Sequence, residues 1–197
     1  MAAASAIAMK PVCHVVAGPN GAGKSTFALD YLPRYAGSIE YVNPDLMASG
    51  LSPIDIRLSA LKSGRLAIER ISALIDGKST FGFETTLSGR GHLKLLADAR
   101  NAGYRICLYY LWMPEKLMLP SRIRHRVLSG GHDVPSADVF RRFERSVANL
   151  RDYAALADML YVFDATENPQ RMIYSRNGGE RMRDASRAAI MRKELGL

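Results

Sequence analysis

The chain has 197 residues, 48% hydrophobic and 23% charged, enough for one well-buried α/β domain, short for two, and unlike a disordered chain. Its net charge is +8, and the excess sits in the second half: residues 1–89 carry eight Lys+Arg against seven Asp+Glu, residues 90–197 nineteen against twelve. Such an excess suits nucleic acid, and equally a site that grips several phosphates of a small substrate.

The opening MAAASAIAM (1–9) has no basic residue ahead of its apolar run and is too short for a secretory signal, so it reads as a flexible extension. No apolar stretch approaches the roughly 20 residues that span a bilayer, so no membrane partner is expected. KPVCHVVA (10–17) predicts a buried strand, then a Gly-rich turn and a helix over about 23–32. SIEYVN (38–43) predicts a second strand, and Ile and Leu at helical spacing over 54–76 predict a long helix ended by Gly77. STFGFETTL (79–87) reads as a third strand, 91–102 as a helix, and YRICLYYLWM (104–113) as a central fourth strand. A basic helix follows over about 115–129, then the loop GGHDVPS, a helix over 136–150 and a fifth strand, MLYVFD (159–164).

Strands alternating with helices predict an α/β fold over 10–175, with a mostly parallel five-stranded sheet and right-handed crossovers. Residues 176–197 read as a loosely held basic tail with a last helix at 182–195. Trp112, Tyr109, Tyr110 and Met113 read as core. So do Cys13 and Cys107, each inside an apolar run; their spacing gives no disulfide or metal framework, and a cytoplasmic protein fits.

GPNGAGKS, Gly18 to Ser25, matches G-x-x-x-x-G-K-[ST] between a predicted strand and a predicted helix. Gly18, Pro19, Asn20, Gly21, Ala22 and Gly23 supply a backbone that turns N–H groups toward α- and β-phosphates. Lys24 reaches the β/γ-phosphates, the Ser25 hydroxyl ligates Mg²⁺, and Thr26 follows in the first helical turn. ATP and Mg²⁺ are the expected ligands. No N-K-x-D guanine signature follows, and the long insertions of transport ATPases are missing, so the chain has the size and pattern of a small kinase.

Ligands of an open α/β sheet bind beyond the carboxyl ends of its strands. The second strand ends YVNPD, which places Asp45 there; the third ends FETTLSG, which places Glu84, Thr86 and Ser88 there. Two carboxylates beside bound ATP suit the orientation and deprotonation of a hydroxyl, with Thr hydroxyls to hold substrate oxygens. On the basic helix Arg122 and Arg126 share a face, and Gly130-Gly131 would let the following loop move as a small lid.

The P-loop, VNPD, FETTLSG, and GGHDVP ahead of a helix ending SVANL together resemble the zeta-toxin family over about residues 10–165. The GGHDVP segment is similar to that of the family's chromosomal branch. The resemblance implies a three-layer P-loop NTPase fold related to the nucleoside-monophosphate kinases, with a helical lid. It also implies transfer of the γ-phosphate of ATP to a nucleotide sugar such as UDP-N-acetylglucosamine. Asp45 then matches the catalytic base, Glu84 and Thr86 the Glu-x-Thr that contacts substrate, and Arg126 an arginine on the ATP phosphates. His132 falls among the substrate contacts, where the family tends to carry Arg, as it does at the place of Ser88. An antitoxin protein is the partner implied.

Two other functions fit the same residues. A polynucleotide 5′-kinase would explain the basic half, but aromatics for base stacking are scarce on its basic segments (Phe140, Phe143 and Tyr153). A non-catalytic ATP-binding toxin–antitoxin interaction protein would bind ATP and transfer nothing.

Overall fold

A computed structural model describes residues 10–36, 40–52, 59–128 and 134–197, without the side chains of Ala60 and Arg126. The expected extension over 1–9 lies outside them. In chain order the elements are β1 (Val12–Ala17), α1 (Lys24–Tyr35), β2 (Glu40–Val42), α2 (Pro44–Leu51), α3 (Ala60–Asp76), β3 (Phe81–Thr85), α4 (Gly91–Asn101) and β4 (Arg105–Trp112). After a 3₁₀ turn at Lys116–Met118 come α5 (Leu119–Leu128), α6 (Ser136–Leu156), β5 (Met159–Asp164), β6 (Arg171–Arg176), β7 (Glu180–Met182) and α7 (Ala185–Leu195).

The sheet runs β2-β3-β1-β4-β5-β6-β7. The first five strands are parallel, as expected, with Val15 opposite Phe83 on one side and Leu108 on the other. The sequence reading stops at β5; β6 and β7 extend the sheet antiparallel. Their hairpin turns at Asn177, whose N–H donates to Gly179 O at 3.0 Å, with Gly178 at φ 67°. β4 alternates between two cores, as period 2 demands of a strand buried on both faces. Ile106, Leu108, Tyr110 and Trp112 enter the core under α3, α4, α6 and α7, and Cys107, Tyr109 and Leu111 the core under α1 and α5. Cys13 and Cys107 are free and buried, on opposite faces.

Three stretches depart from the expected pattern. Residues 44–51, to which the sequence reading gave no element, form α2. The 136–150 helix continues to Leu156, whereas the described part of the 54–76 helix, from Ala60, is helical as expected. The segment read as a loosely held tail carries β7 and α7, and Ala188, Met191 and Leu195 of α7 are buried. Trp112 Nε1 donates to Glu194 Oε2 at 3.0 Å, and Arg187 Nε pairs with Asp164 Oδ2 at 2.8 Å. α7 thus ties down the last residues of β4 and β5, at the sheet edge where the parallel strands end.

Candidate active site

The carboxyl ends of β1, β2 and β3 converge on a cleft of about 410 Å³. Its floor is the turn from Gly18 to Gly23. Gly18 has φ 143°, and a Cβ there would meet Leu111 O at 2.6 Å; Gly21 and Gly23 both have φ 83°. Only glycine takes these conformations without strain, and the backbone they produce leads into the N-terminus of α1, where free N–H groups favour an anion. Lys24 is buried, and its Nζ donates to Pro19 O at 3.0 Å, so the ammonium lies back along the turn. Asn20 is also buried, and its Oδ1 has no hydrogen-bond partner. A polar atom left so costs about 1–3 kcal/mol, and here it lines the cleft, where a bound molecule can satisfy it.

At the end of β2 Asn43 does two things. Its Oδ1 caps α2 by accepting from the N–H groups of Asp45 (2.9 Å) and Leu46 (3.1 Å), while its Nδ2 donates to Ser25 Oγ at 3.4 Å. Pro44 at the first helical position completes a strong N-terminal signature. The cap sets Asp45 at the cleft wall, exposed, on a helix whose start is tied to the P-loop serine.

At the end of β3 Glu84 is 8% exposed. One oxygen, Oε2, accepts from Ser25 Oγ at 2.8 Å and from Tyr41 OH at 2.9 Å. Burial, and then the Glu84 charge, push the Tyr41 phenol well above its ordinary pKa, which keeps it a donor. Thr86 lines the cleft, its Oγ1 2.8 Å from Ser88 Oγ. Asn149 Nδ2 and Tyr153 OH, both on α6, donate to Leu87 O (2.7 Å) and Gly89 O (2.8 Å) and hold the turn after β3 in place.

Of the predicted residues, the cleft thus brings together Asn20, Gly21, Gly23, Lys24, Ser25, Thr26, Asp45, Glu84 and Thr86. Gly18 and Pro19 lie behind it as the buried base of the turn, and Ala22 faces a neighbouring cavity. Arg126 stands on α5 with its side chain outside the described residues; His132 and the Gly130-Gly131 hinge lie wholly outside them. Arg122 donates from Nη1 to Ala165 O at 2.6 Å and from Nη2 to Thr166 O, so it fastens α5 to the loop after β5 while lining the cleft. The neighbouring cavity, about 730 Å³, lies between α5 and that loop, with His125, Glu167 and Gln170 on its walls.

Sequence reasoning missed Tyr41, the double role of Asn43 and His92 at the start of α4. The Asn-Pro-Asp run signals a helix start and could have revealed the second; nothing local marks Tyr41. His92 Nδ1 lies 3.4 Å from Thr85 Oγ1, its ring packs 5.2 Å from that of Phe83, and burial lowers its pKa toward the neutral imidazole. The donor set fits a nucleotide with Mg²⁺: a glycine cradle that a Cβ would spoil, a buried ammonium, an orphaned amide oxygen, and the Ser25 hydroxyl beside the Glu84 carboxylate, hard oxygen donors of the kind Mg²⁺ takes.

Parallel strands in the order 2-3-1-4-5, with the phosphate-type loop after β1, define the α/β fold of the P-loop kinases. No known protein-family profile matches the sequence. The chain belongs to the same family as an uncharacterized protein of Haemophilus influenzae, to which it is 32% identical over 126 residues, 64% of this chain and 88% of that protein. Among solved structures it is similar to the AvrRxo1-ORF1:-ORF2 complex crystallised with ATP, at TM-score 0.73 and 17% identity over 93% of this chain. It spans 64% of that chain's length. It is also similar to the PezAT chromosomal toxin–antitoxin system of Streptococcus pneumoniae (TM-score 0.64, 18% identity, 85% of this chain and 72% of that one). A third likeness is to the Pnkp1/Rnl/Hen1 RNA repair complex (TM-score 0.58, 19% identity, 75% of this chain and 48% of that one). At these identities the likenesses establish the fold.

Proposed function

We propose that this chain is an ATP-dependent kinase that transfers the γ-phosphate to a hydroxyl of a small molecule. The observation that carries the reading is the coupling of Asp45 to the P-loop through Asn43, which gives α2 its cap and touches Ser25. A carboxylate fixed at the wall of the phosphate cleft can take the proton of an acceptor hydroxyl.

In this reading the N-terminus of α1 and Lys24 bind the β- and γ-phosphates, and Ser25 with Glu84 beside it holds Mg²⁺, which supplies charge neutralisation on the phosphate oxygens. Asp45 orients the acceptor hydroxyl and takes its proton as the oxygen bonds to the γ-phosphorus. The bond from that phosphorus to the β–γ bridging oxygen breaks, ADP leaves with the electron pair, and Asp45 returns its proton to solvent. Lys24, Arg122 and Arg142, with Arg126 from α5, meet the charge on the transferring group. Thr86 and His132 contact the acceptor.

The zeta-toxin resemblance makes a nucleotide sugar such as UDP-N-acetylglucosamine the first acceptor to try. Likeness to the PezAT and AvrRxo1 complexes supports an antitoxin-like protein partner, and an ATP-consuming enzyme with two free thiols belongs in the cytoplasm. The test is transfer from γ-labelled ATP with Mg²⁺ to nucleotide sugars, free sugars and a 5′-hydroxyl oligonucleotide. Label on a small-molecule hydroxyl is the expected result. Label on the oligonucleotide would move the acceptor to nucleic acid. Absence of label on every acceptor, with ATP bound, would leave a binding protein.

A further inference from the structure

The α1 side of the sheet is closed over β1 and β4 and opens beyond them. Along β5, Leu160 and Val162, on the opposite face, are fully buried, whereas Met159 and Tyr161 on the α1 side are only half-buried. Met172 of β6 is half-buried on the same side, and β7 is exposed throughout. The register carries one row of residues across this face: Tyr109, Tyr161, Ser175 and Arg181 are neighbours on β4, β5, β6 and β7. At about 4.8 Å per strand the row is roughly 14 Å long.

Rings and cations alternate on it. Tyr109 stacks with Tyr161 at 5.5 Å and 16°, and Tyr31 reaches over from α1, its ring 5.5 Å from that of Tyr109. Asn177 Nδ2 donates to Tyr161 OH at 3.3 Å. Phe27, Tyr31 and Tyr35, on one side of α1, stack at 4.7 and 4.2 Å, and the stack ends at Tyr35, 71% exposed, a ring open to solvent. Arg105 of β4, Arg181 of β7 and Arg183 just past it are exposed, and none pairs with a carboxylate among the described residues. Arg105 Nη2 lies 3.3 Å from Met159 Sδ. Burial, then Tyr35 and Tyr161, raise the Tyr31 pKa while the Arg183 charge opposes them, so that guanidinium stands within electrostatic reach of the ring. The nearby acids are engaged: Asp30 with Arg34 at 2.5 Å, Asp184 with Arg171, and Asp158 with the Ile106 N–H at 2.7 Å.

We infer that this face binds single-stranded nucleic acid, unpaired bases lying on the tyrosine rings and phosphates on the three arginines. Three unpaired cations call for a polyanion, and the rings choose among polyanions. Every base has a π-face that can continue the Tyr35 stack. A duplex keeps its bases in its own stack, and an acidic peptide brings carboxylates without rings. A second copy of the chain is repelled by the net charge of +8. The site is separate from the phosphate cleft and does not depend on the kinase reading, since Tyr35 and Lys24 are at opposite ends of α1, about 16 Å of helix rise apart. The rings come from α1, β4 and β5 and the cations from β4 and the β7 segment, so folding alone brings them together.

The experiment is fluorescence anisotropy of the full chain with labelled single-stranded RNA and DNA of mixed sequence, with and without ATP and Mg²⁺. A duplex of the same sequence and polyglutamate serve as competitors. Single strands of at least one kind should bind at low salt, unaffected by ATP, and whichever of RNA and DNA binds more tightly names the source. Affinity should fall with salt at a log–log slope of about −2, three phosphates at about 0.7 each. The duplex and polyglutamate should each compete about tenfold more weakly. Tyr35→Ala, at an exposed position, should weaken binding about tenfold with the unfolding midpoint unchanged. Arg181→Gln combined with Arg183→Gln should reduce the slope to about −0.7. No binding, displacement by ATP, a duplex that competes equally well, or unchanged affinity in Tyr35→Ala would each overturn the inference. Polyglutamate that competes equally well would overturn it too, and assign the face to an acidic protein segment.

Discussion

Glu84 Oε2 receives two hydroxyls, from Ser25 of the P-loop and Tyr41 of the neighbouring strand, and the three residues lie 59 and 43 positions apart in sequence. A buried carboxylate needs such donors, because its desolvation is otherwise uncompensated. Removing one leaves the charge short of a partner: Tyr41→Phe should destabilise the fold by about 1–3 kcal/mol, read from urea unfolding, and should raise the Mg²⁺ concentration needed for half-maximal phosphate transfer. An unchanged unfolding midpoint would mean that water replaces the phenol. Gly18 tests the cradle in the same way. A Cβ only 2.6 Å from Leu111 O, at φ 143°, cannot be relieved by a side-chain movement. Gly18→Ala should therefore cost more than about 1–3 kcal/mol, the usual range for overpacking, with ATP binding lost in whatever folds.

At the scale of elements, α2 and α7 carry the site without being part of the phosphate loop. Asn43→Ala removes the α2 cap at a cost of about 1–2 kcal/mol, and it also cuts the link to Ser25. Transfer should fall further than ATP affinity, as a split between kcat and the KM for ATP would reveal. α7 buries Met191 fully, so Met191→Ala should cost about 2–5 kcal/mol in urea unfolding; a change within error would return residues 185–195 to a peripheral role.

These elements also mark where the sequence was and was not readable. The P-loop was legible because its function demands particular backbone angles, and glycine writes those angles into the sequence. The five parallel strands were legible as apolar runs, since strands covered on both faces show little alternation. α2 was left unassigned between a strand and a long helix, although Asn-Pro-Asp is a cap followed by a first-turn proline and acid. β6 begins and ends on arginine and β7 is fully exposed, so neither gave an apolar run, and only Asn177-Gly178 marked the hairpin. The Tyr41–Glu84–Ser25 bridge exists only once β2, β3 and the P-loop are side by side.

Across the whole molecule, acid sensitivity has an identifiable source. His14 lies in β1, 7% exposed, with Nδ1 3.1 Å from Tyr109 OH, and burial lowers its pKa from 6.5 to about 4. The unfolded chain takes up this proton below pH 6.5 and the folded chain only near 4, so stability is full above 6.5 and is lost as pH falls through that window. The loss is on the order of 3 kcal/mol by pH 4. His14→Phe should flatten the decline in unfolding free energy between pH 6.5 and 4; an equally steep decline would assign it to other groups. No helix among the described residues is long and apolar enough to cross a bilayer.

The central claim is that Asp45 works on a hydroxyl while the P-loop holds ATP. Its most direct test compares wild type and Asp45→Asn, with ATP affinity measured by calorimetry and transfer by γ-label on the accepted substrate. The account predicts ATP affinity within about twofold, because Asp45 lies on the acceptor side, and transfer reduced by about 10²–10⁴, the usual contribution of a general base. Transfer at the wild-type rate in Asp45→Asn would contradict it.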